Sequence, residues 1–530
     1  MRDSVRATLR ASLRESACAS ACASARGALA VLAASLAVLA GCTTVGPDYQ
    51  RPVRVLPGGF AGGAIGDDAS AARDGTAASA GAAPASRGAV ETDWWRRFGD
   101  ARLDALVERA LARNTDLQAA IARIEEADAA LREAGGGLFP AVGASGSAGR
   151  GRAASPLAPG GFRVGNSASV SVSAAYEIDF WGRVRRNREA ALASATASRH
   201  AADVVRLTLA GLVSQAYFNL TALDEQVALT RETVQSRLEQ VRLFRVRLAG
   251  GSGSELDLNQ ALALRADAAV QLRELQRQRA VSQNQLARLV GDPGLVVLRA
   301  RDADPLSRLS VPPRPPVGLP SDTLLRRPDV RQAEENLIAA NARIGVARAA
   351  MLPSISLTGA LGQQSTELST LLDAGNRIWS LGFGLAVPIF NAGTLAAREA
   401  QAQARYAQLV ASYQGAIEAG FQDVSNALVS VTASQVAEAD VRERARATRR
   451  AVELATARYD AGYTGYLELL DAQRSNFAAE IEVVRNRLAR LNASVDLFRA
   501  IAGGWPDAAP ATAAGSASAP GGAPGAASSR

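Results

Sequence analysis

Residues suited to catalysis or metal binding are scarce in this chain. Its 530 residues include three cysteines, two methionines and one histidine, His200, which lies in a helical stretch where we expect a packing or surface role. The sequence has no P-loop, no dinucleotide-binding glycine fingerprint and no metal-spaced set of cysteine and histidine. Two methionines also argue against a methionine-lined path for soft metals. We therefore predict neither an enzyme nor a cofactor or metal site.

Lysine is absent, so the net charge of +8 rests on arginine alone. The arginines are spread along helical stretches and interleaved with Asp and Glu, without aromatic residues clustered beside them. Nucleic-acid surfaces instead concentrate basic charge on one face. We predict no nucleic-acid partner.

Proline is missing from residues 183–248, where Gly211 is the one interior glycine. A helix of this length would span roughly 100 Å at about 1.5 Å per residue. Helices of globular domains are far shorter, so this length is typical of a coiled coil or a helical tube.

Cysteine is confined to the N-terminal region. The apolar run 27–40 closes as Leu39-Ala40-Gly41-Cys42, which resembles a bacterial lipoprotein signal. We predict that 1–41 is a signal peptide with an N-terminal extension, that Cys42 carries covalent lipid, and that Thr43 is compatible with the outer membrane. An ordinary signal with a chance cysteine is the alternative.

Flexible segments flank two similar halves. Residues 42–90 form the lipidated N-terminal segment and a linker rich in Gly, Ala and Ser, and 506–530 have the composition of a disordered tail. A proline-rich connector at 312–316 separates a first repeat, 91–310, from a second, 311–505.

The two halves carry the same landmarks roughly 210 residues apart. In each, a strand-like run ends in phenylalanine, a helix opens with Arg-Glu-Ala, and a long helix breaks at glycine and then resumes. The paired landmarks are Phe180 and Phe390, Arg188 and Arg398, Gly251 and Gly462, and Leu256 and Leu467. Each repeat thus predicts a hairpin of strands, a very long helix, a tight turn and a returning helix.

Four segments are strand candidates. Apolar and polar residues alternate over 169–181 and 378–390, and weaker partners precede them at 141–149 and 354–364. The pattern suits a transmembrane β-barrel, and a soluble half-buried sheet would show it too. The smallest membrane barrels need about eight strands, and open edges in lipid are costly. Spanning a membrane therefore requires several chains to pool strands, and three chains give twelve.

The last helix carries a coiled-coil seam, with apolar residues alternately three and four positions apart from Leu467 to Ala502. Arg474 interrupts this seam. Three explanations fit: snorkelling at a frayed helix end, a local ion pair with Asp471, or a polar ring at the mouth of a tube.

Several motifs together resemble one family. The segment GLPSDTLLRRPDVRQAEENLIAANARIGVARAAMLPSISLTG, residues 318–359, resembles the signature of the TolC-like outer-membrane factors. The subgroup it resembles is the NodT-type lipoproteins of resistance-nodulation-division (RND) efflux systems. Further matches, in consistent order over 43–505, are Trp94-Trp95, Phe98, Asn114, Tyr217-Phe218, Leu469 to Arg474 and Gly503-Gly504-Trp505.

The resemblance implies an α-helical protein with a membrane β-barrel: a homotrimer whose 12-stranded outer-membrane barrel continues into a 12-helix periplasmic tunnel. A periplasmic adaptor and an inner-membrane RND pump would supply substrate, and an iris of helices would close the periplasmic end. By position, Leu467 and Asp471 fall at the closing residues, with Arg474 nearby.

The resemblance also implies that the adaptor docks on the two helical turns. By position these are Gly251, Ser252, Gly253 and Ser254, and Gly462, Tyr463, Thr464 and Gly465. Locally, Ser252 and Glu255 have the spacing of a capping box, and Thr464 is a candidate cap for the second returning helix.

We therefore predict the exit duct of a tripartite RND-type efflux pump for drugs or other small molecules. It is anchored in the outer-membrane lipid of a Gram-negative bacterium, with its tunnel in the periplasm. Two alternatives stay open: a TolC-like duct for type I protein secretion, and a non-conducting coiled-coil outer-membrane lipoprotein.

Overall fold

The computed structural model describes residues 44–52, 93–154, 161–296, 306, 309–311 and 321–501. Cys42, most of the linker up to residue 90, the proline-rich connector and the tail from 506 lie outside the described residues. The predictions made for them stay predictions.

Seven helices of very different length make up most of the described chain. They are α1 (Ala101–Arg113), α2 (Thr115–Gly136), α3 (Arg183–Ala249), α4 (Glu255–Val290), α5 (Pro328–Ala349), α6 (Thr394–Asp460) and α7 (Tyr466–Ala500). Both α3 and α6 contain 67 residues, or roughly 100 Å. The long helix predicted over 183–248 is thus confirmed. Within the described residues, no helix combines the length and apolar character needed to cross a membrane.

Short 3-10 helices lie at Trp94–Phe98, Ser321–Arg326, Leu368–Thr370 and Ala374–Asn376. Four strands form one antiparallel sheet in the order β1 (Ala141–Ala154), β2 (Phe162–Ile178), β3 (Ser354–Ser365) and β4 (Arg377–Ala386). Each strand pairs with its neighbours in this order, so β1 and β4 are the two edges of the sheet.

The predicted strands exist, but two of them end earlier than the alternation suggested. The strand predicted over 169–181 stops at Ile178, because the Asp179 carboxylate accepts the backbone N–H groups of Val184 and Arg185 at 2.9 Å each and so starts α3. The strand predicted over 378–390 stops at Ala386, two residues before Pro388. Side-chain periodicity continues past both points, whereas the ladder of backbone hydrogen bonds does not.

The only interior glycine of α3 has a packing role. A Cβ at Gly211 would collide with the side chain of Arg499 on α7. The position therefore allows a close approach of two helices that a larger residue would push apart.

The main core lies where the short N-terminal helices meet the middle of α3 and the end of α7. Trp94 stacks on Phe498 with ring centroids 5.6 Å apart, and Phe98 packs against Phe218 at 5.0 Å. These rings are buried, as are Trp95 and the other hydrophobic members of this cluster. Among the described residues, the aromatic residues that carried the family resemblance, Trp94, Trp95, Phe98, Tyr217 and Phe218, are therefore core residues.

Two side chains connect the start of one helix to the last turn of another. Asn114 caps α2 by accepting two backbone N–H groups of its first turn, at 2.9 and 3.1 Å, and donates to the Leu289 carbonyl at the end of α4. In the second half, Arg327 precedes α5 and donates to the Ala500 carbonyl at the end of α7 at 2.9 Å. Each joint satisfies a carbonyl that its own helix leaves without a partner.

Candidate functional site

Both long helical hairpins turn in the same way. Gly251 and Gly462 adopt φ values of +73° and +77°, in the left-handed region that glycine enters at little cost. In the first turn, Ser252 N donates to Arg247 O at 2.9 Å, and Tyr463 N makes the equivalent bond in the second turn at the same distance. The predicted adaptor-docking turns thus share one backbone geometry.

The caps predicted for the returning helices are wrong. Ser254, not Ser252, caps α4, because its hydroxyl accepts the N–H of Leu256 at 3.1 Å. The Ser252 hydroxyl instead donates to a carbonyl at the end of α3. In the second turn α7 follows Gly465 without a side-chain cap, and Thr464 Oγ1 is buried with no hydrogen-bond partner among the described residues. The helix start thus lies two residues later than expected in the first turn, at Ser254 rather than Ser252, and one residue later in the second, at Gly465 rather than Thr464.

The turns present bulky side chains at the tip of the molecule. Tyr463 is 81% exposed, and Leu256 is exposed in the first turn of α4. Ser252 and Ser254 are exposed beside them. The tips are therefore accessible in the single chain.

The predicted aperture residues lie on one exposed surface of α7. Leu467 is 68% exposed, and Asp471 and Arg474 are exposed as well. Asp471 and Arg474 form no ion pair with each other within the described part of the chain, so the local ion pair is excluded as the reason for Arg474. Snorkelling and the polar ring both remain.

The coiled-coil seam holds along most of α7 and fails at its first turn. Leu470, Ile481, Val484, Leu491, Val495 and Phe498 are buried, as predicted. At the start of the helix, however, Tyr466 and Leu469 are buried and Leu467 is not. Tyr466 and Leu469 pack into a small cluster with Val241 and Phe244 of α3.

A polar cluster ties α7 to α3, and of its members only Gln473 lies in a segment that carried the family resemblance. We call it the tether; it consists of Arg237 and Gln240 on α3 and Tyr466 and Gln473 on α7. The Tyr466 hydroxyl donates to Gln240 Oε1 at 3.2 Å, and Gln240 Nε2 donates to Gln473 Oε1 at 3.2 Å. Arg237 Nη1 donates to both glutamine oxygens, at 3.0 Å to Gln240. The tether thus spans the contact between the two long hairpins.

Arg237 is the unusual member of the tether because it is a charged group that is only 6% exposed. Burial is the main reason that the pKa of its guanidinium is lowered, and the positive charge of Arg474 lowers it further. The neutral amide oxygens of Gln240 and Gln473 are the acceptors that compensate for lost hydration. Loss of either amide acceptor would therefore leave a buried charge poorly compensated and weaken the contact between α3 and α7.

An aromatic layer lies next to the tether, closer to the turns. The rings of Tyr466 and Phe244 meet edge to face, with centroids 4.6 Å apart, and Tyr459 of α6 lies 5.9 Å from Tyr466. Arg247 of α3 donates to the Tyr459 hydroxyl at 2.8 Å. Three long helices, α3, α6 and α7, therefore meet in this layer next to the turns.

At the other end of the molecule, the sheet has two chemically different faces. Directly paired residues share a face, and one face carries Val170, Val172, Leu361, Trp379, Leu381 and Phe383. Trp379 is 77% exposed. The opposite face is small and polar: Ser145 pairs with Ser171 and Ser147 with Ser169, with hydroxyl oxygens 3.1 and 2.9 Å apart. Both faces are largely exposed in the single chain, and only one of them is apolar.

The chain is similar over most of its length to known outer-membrane channels. The outer membrane efflux protein family model matches residues 106–292 and 319–503, once in each half. The chain is 36% identical over 483 residues to the outer membrane protein OprJ of Pseudomonas aeruginosa, covering 90% of this chain and 96% of OprJ. It is 34% identical over 479 residues to the solvent efflux pump outer membrane protein SrpC of Pseudomonas putida, covering 89% and 97%.

Solved structures show the same fold. The open state of the MtrE outer membrane channel of Neisseria gonorrhoeae matches with a TM-score of 0.76 and 32% identity, covering 87% of this chain and 98% of that one. The CmeC outer membrane channel of Campylobacter jejuni matches with a TM-score of 0.77 and 26% identity, covering 88% and 96%.

Proposed function

Because this chain belongs to the outer membrane efflux protein family, it is an outer-membrane efflux channel, and we propose that three copies close into one continuous duct. The observation that carries this proposal is the open sheet. Its edges, β1 and β4, have no partner strand among the described residues, and one face is apolar and exposed. In lipid such edges must be paired.

Closure by further copies solves both problems. Four strands from each of three chains make a 12-stranded barrel, a size within the range of membrane barrels. Its outer wall would be the face with Trp379 and Leu381, and its inner wall would be the face with the paired serines. Small neutral side chains on the inner wall suit a duct that passes many solutes without selecting among them.

The helices would form the second part of the duct. The equal lengths of α3 and α6, together with the matched glycine turns, support two internal repeats per chain. Four long helices per chain, α3, α4, α6 and α7, would give a 12-helix tunnel in a trimer. The turns would lie at its periplasmic end, where we place the adaptor-docking site on Gly251 to Ser254 and Gly462 to Gly465.

We assign the closing ring of the tunnel to Leu467 and Asp471, with Arg474 beside them. Their exposure on one surface of α7 supports this assignment, because residues that line a lumen have no cover within their own chain. The tether would hold α7 against α3 in the closed state. An adaptor that loosens the tether would let the second hairpin swing outward.

The substrates are proposed as drugs or other small molecules, handed over by a periplasmic adaptor and an inner-membrane RND pump. SrpC belongs to a solvent efflux pump and OpmQ of P. aeruginosa exports pyoverdine, which supports small-molecule export over type I protein secretion. The four-stranded sheet argues against the non-conducting coiled-coil alternative. A lipid on Cys42 would add an anchor to the barrel.

Three measurements test this function. Native mass spectrometry of the full-length protein in detergent should give a trimer, and a stable monomer as the sole species would contradict closure. Planar bilayers should show conductance that is small at rest. Mass spectrometry of the N-terminal peptide should show an acylated Cys42, and a mature start elsewhere would remove the anchor from the proposal.

A further inference from the structure

Three arginines lie on the apolar face of the sheet near its loop end. In β1, Arg152 is paired with Val164 of β2, and Arg150 shares its face two residues earlier. In β4, Arg377 is paired with Gln363, which is in turn paired with Val170. All three therefore share the face that carries the exposed valines and Trp379.

Their height along the strands matches the outer edge of the apolar band. From Val142 to Arg152, β1 rises roughly 25 Å along the barrel axis, given about 3.3 Å per residue and the usual tilt of membrane strands. Leu385 and Arg377 are separated along β4 by the same number of residues as Val142 and Arg150. The hydrophobic band of membrane barrels is about 25 Å tall. By the same arithmetic Arg150 and Arg377 lie roughly 20 Å along the axis and Arg152 roughly 25 Å. The three arginines thus occupy the outer end of the apolar band, next to the head groups.

Within the described residues, no acidic side chain forms an ion pair with these arginines. All three are exposed. Arg152 lies over the Phe162 ring at 4.5 Å, and Arg150 and Arg377 form no ion pair within the described residues. The acidic residues nearest in sequence to Arg377, Glu367 and Asp373, belong to the β3–β4 connection beyond the strand ends. Unpaired cations at the edge of a hydrocarbon layer call for anions supplied from outside the protein.

The arginines also occupy the two edge strands. Closing the barrel brings β4 of one copy beside β1 of the next, since these strands are the edges of the sheet. Counted from Val142 and Leu385, which we take as the inner edge of the apolar band, Arg377 of one copy and Arg150 of its neighbour are at similar height. Each seam between copies would gather Arg150, Arg152 and Arg377, a cluster that does not exist within a single chain.

We propose that this cluster binds the phosphate groups of the glycolipid in the outer leaflet, with one composite site at each seam of the trimer. The inference rests on the proposed trimeric duct. Guanidinium groups present planar pairs of donors that match phosphate oxygens, and the apolar face below them accommodates acyl chains. The bound lipid would bridge two copies and so stabilise the assembly.

The test uses the full-length protein, stripped of lipid in detergent, and native mass spectrometry. The probes are bisphosphorylated lipid A and the same lipid after enzymatic removal of its phosphates. We expect up to three bisphosphorylated molecules per trimer. Binding of the dephosphorylated form should be weaker by about tenfold or more, which is the loss of a charge-assisted hydrogen bond.

A triple variant, Arg150→Gln with Arg152→Gln and Arg377→Gln, should lose the preference for phosphorylated lipid. The matched control, Arg123→Gln with Arg265→Gln and Arg446→Gln, removes the same charge from exposed helical positions and should retain it. Equal binding of the two lipids by the wild type, or retention of the preference by the triple variant, would overturn the proposal. Complete displacement of lipid by millimolar inorganic phosphate would overturn its assignment to a lipid.

Two further readouts keep the result interpretable. If the glutamine variant does not assemble, the lysine variant at the same three positions should bind with intermediate affinity, and binding equal to that of the wild type would count against the arginine geometry. Conductance of the glutamine variant in phosphatidylcholine bilayers should equal that of the wild type. A wild type that neither trimerises nor conducts contradicts the proposed duct, whereas a conducting trimer indifferent to lipid phosphate contradicts only this inference.

Discussion

Single side chains determine where the helices of this channel begin, end and meet. Asn114 serves two helices at once, because its oxygen caps α2 while its amide nitrogen donates to the last turn of α4. Ser254 starts α4, and the left-handed glycines close both turns. On α7, Leu467 and Asp471 differ from these residues, because both are exposed in the described part of the chain.

Replacement of Asn114 by alanine should destabilise the protein by about 0.5–2 kcal/mol, the usual loss of an N-cap, and leave the Leu289 carbonyl without its donor. Amide exchange should accelerate in the first turn of α2. Asn259→Ala is the control, because Asn259 is exposed and bonds only within its own helix turn. Equal amide exchange rates in the two variants would contradict the proposed role of Asn114 in connecting α2 to α4.

The double variant Leu467→Ala with Asp471→Ala should open the tunnel. Loss of an apolar collar and an acidic ring removes both the barrier to wetting and the preference for cations. Bilayer conductance should rise severalfold, and cells should become sensitive to bulky antibiotics.

The control for this gate is Leu256→Ala with Gln260→Ala, which changes the equivalent positions of α4. A double variant on α7 that stays trimeric and conducts like the wild type would place the constriction elsewhere. Arg474→Ala should then behave as a surface substitution.

At the scale of elements, the molecule consists of two hairpins of very long helices held together at a few points. The tether and the aromatic layer fasten α7 to α3 close to the turns, while the aromatic core fastens the end of α7 to the middle of α3. Such a structure can pivot about the core when the contacts near the turns are loosened.

Gln473→Leu should weaken the contact between α3 and α7, because it removes the acceptor of the buried Arg237 and of Gln240. Hydrogen bonds to charged groups contribute about 1.5–3 kcal/mol. Conductance should increase without loss of the trimer. Gln401→Leu, at an exposed position of α6, should have no effect, and a closed Gln473 variant would show that the tether does not restrain the gate.

At the scale of the whole molecule, the sheet cannot be understood from one chain. Its apolar face is exposed and its edges have no partner strand among the described residues. The polar face can line a lumen only when further copies close the sheet into a barrel. The trimer we propose therefore makes the lumen and the lipid surface in one step. The same step creates the arginine seams.

Two adjacent residues of β4 test the orientation of this wall. Leu381→Arg should block membrane insertion, at a cost of about 2–4 kcal/mol near the bilayer midplane. Ser380→Arg, on the opposite face, should insert and shift ion selectivity toward anions. Heat-resistant trimer on gels and bilayer reversal potentials measure the two outcomes, and the reverse pattern would mean that the faces are exchanged.

The sequence by itself determined which elements exist, because their signals are local. Absence of proline over 183–248 predicted a helix of the observed length, and alternation over 169–181 and 378–390 predicted strands with the observed apolar face. The family motif added the outer-membrane efflux channel. The predictions of strand ends and helix caps were less accurate. Several residues near Ser252 have a spacing suited to a cap, and the backbone conformation of the turn determines which of them caps the helix.

Only the tertiary structure decided how distant residues meet. Arg237 and Gln473 lie in different halves of the chain, and no sequence pattern around either residue indicates that the two are in contact. Asp471 and Arg474 have the spacing of an ion pair, yet they do not form one. The outward position of Arg150 and Arg377 depends on the pairing of the strands. Periodicity records the environment along one element, whereas contacts between elements depend on how the whole chain packs.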